Sequence, residues 1–340
     1  MTTAAARPTF GELAPGVALA AAVAAAGYLL APYLQPIPGM VIALVIGIAL
    51  NPAAGRPAFV PGLNFCVRTV LRWSVALLGL RVGLADIAAL GDASAILIVA
   101  AMVVTVLCGL AFARWAGRTQ GFGAMVGVGT AVCGASATLA VSAVVPDYPS
   151  KQRDIVFIVV ALNALATAAL LLYPPLCILL GFDPQTTGIM LGGTIHDVAQ
   201  VVGAGYAIST DVGNTAIIVK LFRVFLLLPF VLAVGWYFAR VGAKHGAARV
   251  PVPVFAIVFL LLCILNSAMP LMPPLMPAYG TVKSALGEVS TAGLLIAIGA
   301  LGLGTSIKTI VTLGWRDIMV IVGTSLVILV IVTGGLLLMR

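Results

Sequence analysis

The stretch LGGTIHDVAQVVGAGYAI, Leu191 to Ile208, sets a His, an Asp, a Gln and four glycines into a run that otherwise has the length and apolar character of a membrane span. An ionisable residue at bilayer depth costs roughly 2.5–3.5 kcal/mol on insertion scales, so His196 and Asp197 are expected to face protein, water or a ligand instead of lipid. Function is therefore expected inside the membrane.

The rest of the chain agrees with that solvent. Over 340 residues it is 62% hydrophobic and 8% charged, with a mean hydropathy of +1.20, which excludes a water-soluble surface. Apolar runs at 13–31, 38–50, 65–84, 93–113, 121–145, 153–180, 186–208, 212–238, 252–270, 281–304 and 317–338 give an all-α polytopic membrane protein of about 11 transmembrane helices. The run 38–50 is shorter than the ~20 residues of a full crossing. Run 65–84 carries Arg68, Arg72 and Arg81, and Pro174-Pro175 breaks 153–180, so ten or twelve spans also fit.

Threading eleven spans in alternation puts Arg7, Arg56, Arg68, Arg72, Arg114, Arg118, Arg240, Lys244, Arg249, Lys308 and Arg316 on the N-terminal side. Only Arg81, Lys151, Arg153, Lys283 and Arg340 fall on the other, an 11 to 5 asymmetry that predicts a cytoplasmic N-terminus. The net charge of +8 is then a topology signal, and no basic soluble domain exists to bind nucleic acid. The Ala-rich first run resembles a signal peptide but is expected to be a retained helix. Cys66, Cys108, Cys133, Cys177 and Cys263 form no CxxC and have no His at ligand spacing, so neither disulfide nor metal is expected, and no cofactor. No long polar loop divides residues 1–340, which are expected to form a single transmembrane domain.

A faint internal repeat aligns Leu78-Gly79-Leu80 through Ile87 to Leu90-Gly91 with Leu301-Gly302-Leu303 through Ile310 to Leu313-Gly314, at an offset of 223. It pairs the third span with the tenth, and that odd separation would invert one copy, as in many transporters.

Three clusters carry chemistry. In GVGTAVCGASATLAV, Gly127 to Val141, a break at Cys133-Gly134-Ala135-Ser136 would free amides at a new helix N-terminus, where Ser136 or Thr138 could cap and an anion would be favoured. The same small residues also suit close helix packing. At the second cluster, helical spacing puts Gln200 on a face with His196 and Asp197. These form a substrate or proton site, with His196 titrating near neutral pH, or a satisfied buried pair. Third, Lys220 and Arg223 share one face deep in the eighth run, suiting an anionic substrate or neutralising Asp197. Asn163, Glu288, Ser290 and Thr291 are weaker candidates, of a kind that usually packs or lies at the interface.

Thr130-Ala-Val-Cys-Gly-Ala-Ser-Ala137 and Gly193-Thr-Ile-His-Asp-Val-Ala-Gln-Val-Val-Gly-Ala-Gly205 closely resemble the two hallmark segments of the YeiH-like family of bacterial membrane proteins, labelled sulfate exporters. Leu80-Arg81-Val82-Gly83-Leu84 and Lys220-Leu221-Phe222-Arg223 resemble it too, and the resemblance covers nearly the whole chain. Thr138 departs from the more usual alanine or isoleucine. The resemblance implies the superfamily of cation/proton antiporters and bile-acid symporters, with inverted repeats, two discontinuous crossing helices, a moving core domain and, by analogy, a homodimer. The expected function is elevator-type secondary transport of a small anion in the bacterial inner membrane. Thr130, Cys133, Gly134, Ser136, Thr138, Gly193, Thr194, Gln200, Lys220 and Arg223 would bind the anion, and His196 and Asp197 would handle a coupling proton or Na+. The alternatives are a cation/proton antiporter built on Asp197 and His196, or an intramembrane enzyme with Ser136 or Cys133 as nucleophile. The second suffers because adjacent His and Asp on a helix point about 100° apart, so no catalytic residue is expected.

Overall fold

The computed structural model describes residues 9–34, 39–54, 56–85, 90–240, 254–272, 274, 276–304 and 315–339. Arg7, Lys244, Arg249, Lys308 and Arg340 of the charge tally lie outside them, as do Ile87 and Ile310 to Gly314 of the 223-residue repeat.

Among the described residues every regular element is helical, and each of the eleven apolar runs is helix. A chain of low polarity in lipid must satisfy its backbone internally, which leaves helices as the economical solution. In chain order they are α1 (Phe10–Leu30), α2 (Gly39–Ala54), α3 (Val60–Phe65), α4 (Leu71–Leu77), α5 (Asp92–Trp115), α6 (Gln120–Ala131), α7 (Ala135–Ser142), α8 (Lys151–Leu179), α9 (Pro184–Thr194), α10 (Val198–Tyr206), α11 (Thr210–Phe225), α12 (Leu227–Arg240), α13 (Val254–Ala268), α14 (Met276–Gly304) and α15 (Trp315–Leu338). A π-turn over Cys66–Val70 joins α3 to α4. Seven segments are long and apolar enough to cross a membrane, and Gly39–Pro52 and Ile257–Leu271 are shorter apolar helices. The two remaining runs are the broken ones.

Pro174-Pro175 does not break its helix: α8 runs unbroken for 29 residues. Both prolines lie within its last two turns, so the missing N–H groups disturb only the helix end.

The chain divides into two compact units, Met1–Leu84 with Ile257–Ile307, and Ala85–Ala256 with Lys308–Arg340. In the first, α2 and α14 approach until a Cβ on Gly47 would lie 2.6 Å from the Gly299 carbonyl, and small residues make such packing available without a hydrophobic drive in lipid. Ser290 donates to the Ser74 carbonyl at 2.7 Å and Thr291 to the Gly287 carbonyl at 3.0 Å, which are packing roles, whereas Glu288 is exposed.

The second unit contains both broken runs, and each folds back on itself. A Cβ on Gly121, at the start of α6, would lie 3.5 Å from the Cβ of Val145, beyond the end of α7, and Gly129 lies against the Thr138 hydroxyl. Likewise Gly188, near the start of α9, and Gly205, near the end of α10, both abut the first turns of α11, at Val212 and Gly213. These are re-entrant hairpins, α6–α7 and α9–α10. The break expected at Cys133–Ser136 stands at Gly134, whereas Gly192 and Gly193, whose place just upstream of His196 suggests an unwound segment, are helical and the second break falls at Ile195–Asp197; in both runs the halves lie side by side instead of continuing in line across the bilayer. The repeat visible in the fold is a long helix followed by a hairpin, α5 with α6–α7 and then α8 with α9–α10. It pairs Gly129-Thr130 with Gly193-Thr194.

The hairpins enter from opposite ends. Arg118, between α5 and α6, pairs with Asp154 at the start of α8 at 2.7 Å and with Asp317 at the start of α15 at 3.2 Å. The α6–α7 hairpin therefore returns to the end it left, and α8 carries the chain to the other end, where α9 begins. This corrects the threading: Lys151 and Arg153 lie at the same end as Arg114, Arg118 and Arg240, because a hairpin is not a crossing. At the opposite end the described residues bring Asp92, Asp183 and Asp211.

Asp183 shows how that end is held. Its carboxylate caps α9, accepting from the amides of Gln185 at 2.9 Å and Thr186 at 3.1 Å and from the Thr186 hydroxyl. The Thr186 hydroxyl bond, followed by the two amides, holds its carboxyl below the usual carboxylate value. A depressed folded-state value stabilises the protein above the unfolded pKa of about 3.9, and that stabilisation is lost as pH falls through the folded value. Asp183→Ala should cost about 1 kcal/mol at pH 7 and correspondingly less in acid. Thermal unfolding at the two pH values checks this, and a pH-independent loss would contradict it.

Candidate functional site

The two hairpin tips meet on α11. Each tip contains the C-terminal end of one short helix and the N-terminal end of the next, so carbonyls and amides emerge together at mid-unit. Lys220 and Arg223, both 0% exposed, take the carbonyls. The Lys220 ammonium donates to Val132 at 2.6 Å, Ile195 at 2.9 Å and His196 at 2.6 Å. Arg223 donates through Nε to Ala131 at 3.0 Å and through Nη2 to Thr130 at 3.0 Å. Its Nη1 serves Gly192 at 2.8 Å and Ile195 at 3.0 Å. Cations at helix C-termini complement both the orphan carbonyls and the dipole. Each side chain touches both hairpins, so the pair stitches the tips together. The sequence reading assigned both cations to the substrate. In the structure all three donors of Lys220 and three of Arg223's nitrogens are already engaged with main chain, and no carboxylate among the described residues lies within ion-pair distance of either.

The amide ends are differently furnished. At the first tip Gly134 has φ 64° and ψ −117°, a backbone that side-chain-bearing residues avoid, and it brings no side-chain acceptor to the amides of α7. At the second tip Asp197 caps α10, its Oδ1 accepting from the Ala199 amide at 3.3 Å. Cys133, Ser136 and Asp197 are half-buried, while Val132, Gly134, Ile195 and His196 beside them are buried. The half-buried residues at the junction are thus Cys133, Ala135 and Ser136 at the start of α7 and Asp197 and Val198 at the start of α10.

His196 is buried and its Nε2 lies 2.9 Å from the Ser325 hydroxyl. Ser325 and Thr324, adjacent on α15, each reach one hairpin, since the Thr324 hydroxyl lies 3.2 Å from that of Thr130. The sequence reading missed this pair because run 317–338 looked like a plain span; a Thr-Ser doublet inside a mostly apolar helix of 24 residues was the available signal. It also missed Asp154 and Asp317, the partners of Arg118.

Of the expected binding residues, the junction brings together Cys133, Gly134, His196, Asp197, Lys220 and Arg223, with the Thr130 carbonyl on Arg223, and Ser136 follows in the first turn of α7. The others turn elsewhere. Thr138 and Thr194 return their hydroxyls to the carbonyls of Gly134 at 3.0 Å and Met190 at 2.6 Å. Gly193 packs on Ile98 and Val332, and Gln200 donates to Asn163 Oδ1 at 3.3 Å.

The family model described as conserved hypothetical protein 698 matches residues 15–321. The chain belongs to this family of membrane proteins. It is 43% identical over 329 residues to the UPF0324 membrane protein TauZ of Paracoccus pantotrophus, covering 96% of this chain and 95% of that one. It is 37% identical over 334 residues to the UPF0324 membrane protein CT0845 of Chlorobaculum tepidum, covering 97% and 91%. No solved structure matches. Membership agrees with the expected resemblance, and with the apolar helices it establishes a multi-pass membrane protein.

Proposed function

We propose that this family member is a secondary active transporter of a small anion, a sulfate-like oxyanion or sulfonate, moved by elevator-type alternating access. The observation that carries the reading is the meeting of two oppositely inserted hairpins at a half-accessible pair of helix N-termini beside two buried cations. Helix amide ends and their dipoles favour an anion, and broken helices at mid-membrane are where transporters bind substrate. Lys220 and Arg223 bring two positive charges against one negative charge on Asp197, so the junction has charge to spare for an anion. In this reading Ser136, Cys133 and the amides following Gly134 contact the substrate, while Lys220 and Arg223 act through field and by holding the tips. His196 and Asp197 handle a coupling proton or cation. An intramembrane enzyme is disfavoured, since His196 hydrogen bonds to Ser325 and not to Ser136 or Cys133.

Orientation follows from charge. Arg114, Arg118, Lys151, Arg153 and Arg240 gather at one end of the second unit, and we assign that end to the cytoplasmic side of a bacterial inner membrane.

Thermal stability of the purified protein against sulfate, sulfite, thiosulfate, taurine and small carboxylates, with and without sodium, tests the function. A ligand at 100 times its Kd adds about 2.7 kcal/mol, so one of these anions should raise the melting temperature by several degrees, and Ser136→Ala should weaken the effect. Asp197→Asn should leave anion binding in place and flatten its pH dependence. Stabilisation by sodium or pH with no anion effect would favour a cation/proton antiporter instead.

A further inference from the structure

The carbonyls that receive Lys220 form a site in their own right. The Val132 oxygen comes from one hairpin tip, and the Ile195 and His196 oxygens from the other. All three converge on one nitrogen at 2.6, 2.9 and 2.6 Å. Oxygen cages of main-chain carbonyls are how membrane proteins replace the hydration shell of a monovalent cation. An ammonium group has three N–H donors and no acceptor, so three carbonyls satisfy it completely. The charge here is solvated by the carbonyl dipoles at the C-terminal ends of α6 and α9, which leave its formal charge uncancelled, since among the described residues no carboxylate pairs with it.

We propose that these three carbonyls constitute a monovalent-cation site joining the two hairpins, and that the Lys220 ammonium occupies it as a cation tethered to α11. The physical role is that of a bound ion: without positive charge between them, two sets of helix-end carbonyls face each other across the junction and repel. Because the cation is covalently attached, its effective concentration is independent of the medium, and the protein needs no sodium or potassium ion to hold the tips together. The proposal deepens the transporter reading, on which it rests for its meaning in transport, but its test reads folding and not transport.

Lys220→Ala removes a propylammonium-sized piece and leaves the carbonyl cage intact. The variant should melt well below the wild type in N-methylglucamine chloride and recover more than half of that loss in propylammonium chloride at equal ionic strength. Ammonium or potassium should recover less, because they fill only the cage. Lys220→Met, whose side chain occupies the space without a charge, should be destabilised and gain nothing from propylammonium. Wild type should be indifferent to all of these cations. If Lys220→Ala accumulates only when expressed and purified with propylammonium, dialysis against N-methylglucamine should unfold it, and that outcome supports the proposal equally. Failure of both variants to respond to any of the cations, or an equal stabilisation of the wild type by propylammonium, would overturn it. An absent anion effect in the wild type would count against the transport reading and leave this result standing.

Discussion

Gly121→Cys combined with Val145→Cys, with the five native cysteines replaced, should close a disulfide nearly quantitatively under mild oxidation. The two Cβ positions are 3.5 Å apart, inside the window a disulfide requires. If the CGAS run were a helix broken but continuing across the bilayer, the same residues would stand about 36 Å apart at 1.5 Å per residue, and no cross-link within one chain could form. The pair Gly121→Cys with Ala131→Cys is the control, since it spans the length of α6, about 15 Å, and should stay reduced. Thiol counting and mass spectrometry of the linked peptides read the result. Two free thiols in the first pair under conditions that oxidise an exposed control would remove the hairpin, and with it the assignment of Lys151 and Arg153 to the same end as Arg118.

Arg223→Met should be the most damaging single change at the junction. Met has similar bulk and flexibility, so the loss is chiefly of the bonds to Ala131, Thr130, Gly192 and Ile195. Removing one partner from a buried charged arrangement typically costs about 3–5 kcal/mol, because the Ala131, Thr130 and Gly192 carbonyls lose their side-chain donor in a buried place, and only that of Ile195 keeps Lys220. Arg223→Lys should recover only part of the loss, since a single ammonium cannot present the planar fork that serves both tips at once. Melting temperature in detergent and the yield of folded protein measure this. A methionine variant within a degree or two of wild type would mean that these contacts do not hold the hairpins.

How much of this was legible beforehand depends on the range of the interaction involved. Hydropathy is a property of each run by itself, so all eleven apolar runs were found at nearly their observed boundaries. The break at Gly134 was readable because a residue that tolerates a positive φ is local chemistry, whereas the second was expected at Gly192-Gly193 and falls instead before the Asp197 cap. The continuity of α8 through Pro174-Pro175 was misjudged because proline was read as a breaker without regard to its position near a helix end. Ser325 stood in a visible Thr-Ser doublet, but its role could not be read because its partner, His196, lies 129 positions earlier.

The direction in which each broken helix continues is not a local property at all. A glycine-centred break permits either an in-line continuation or a reversal. The choice is made by packing of Gly129 on Thr138 and of Gly188 and Gly205 on the start of α11, and by the Arg118 pairs with Asp154 and Asp317. The same holds for Lys220 and Arg223. Their type and depth announced that two buried cations needed partners, and an anionic substrate was one solution consistent with sequence alone. By itself the sequence determined the solvent, the helical class, the two breaks and the presence of unpaired charge within the membrane. Tertiary structure alone decided that the breaks are hairpin tips meeting from opposite ends and that the N–H donors of Lys220 and Arg223 are spent on their carbonyls, because both outcomes depend on distances between residues the chain order keeps far apart.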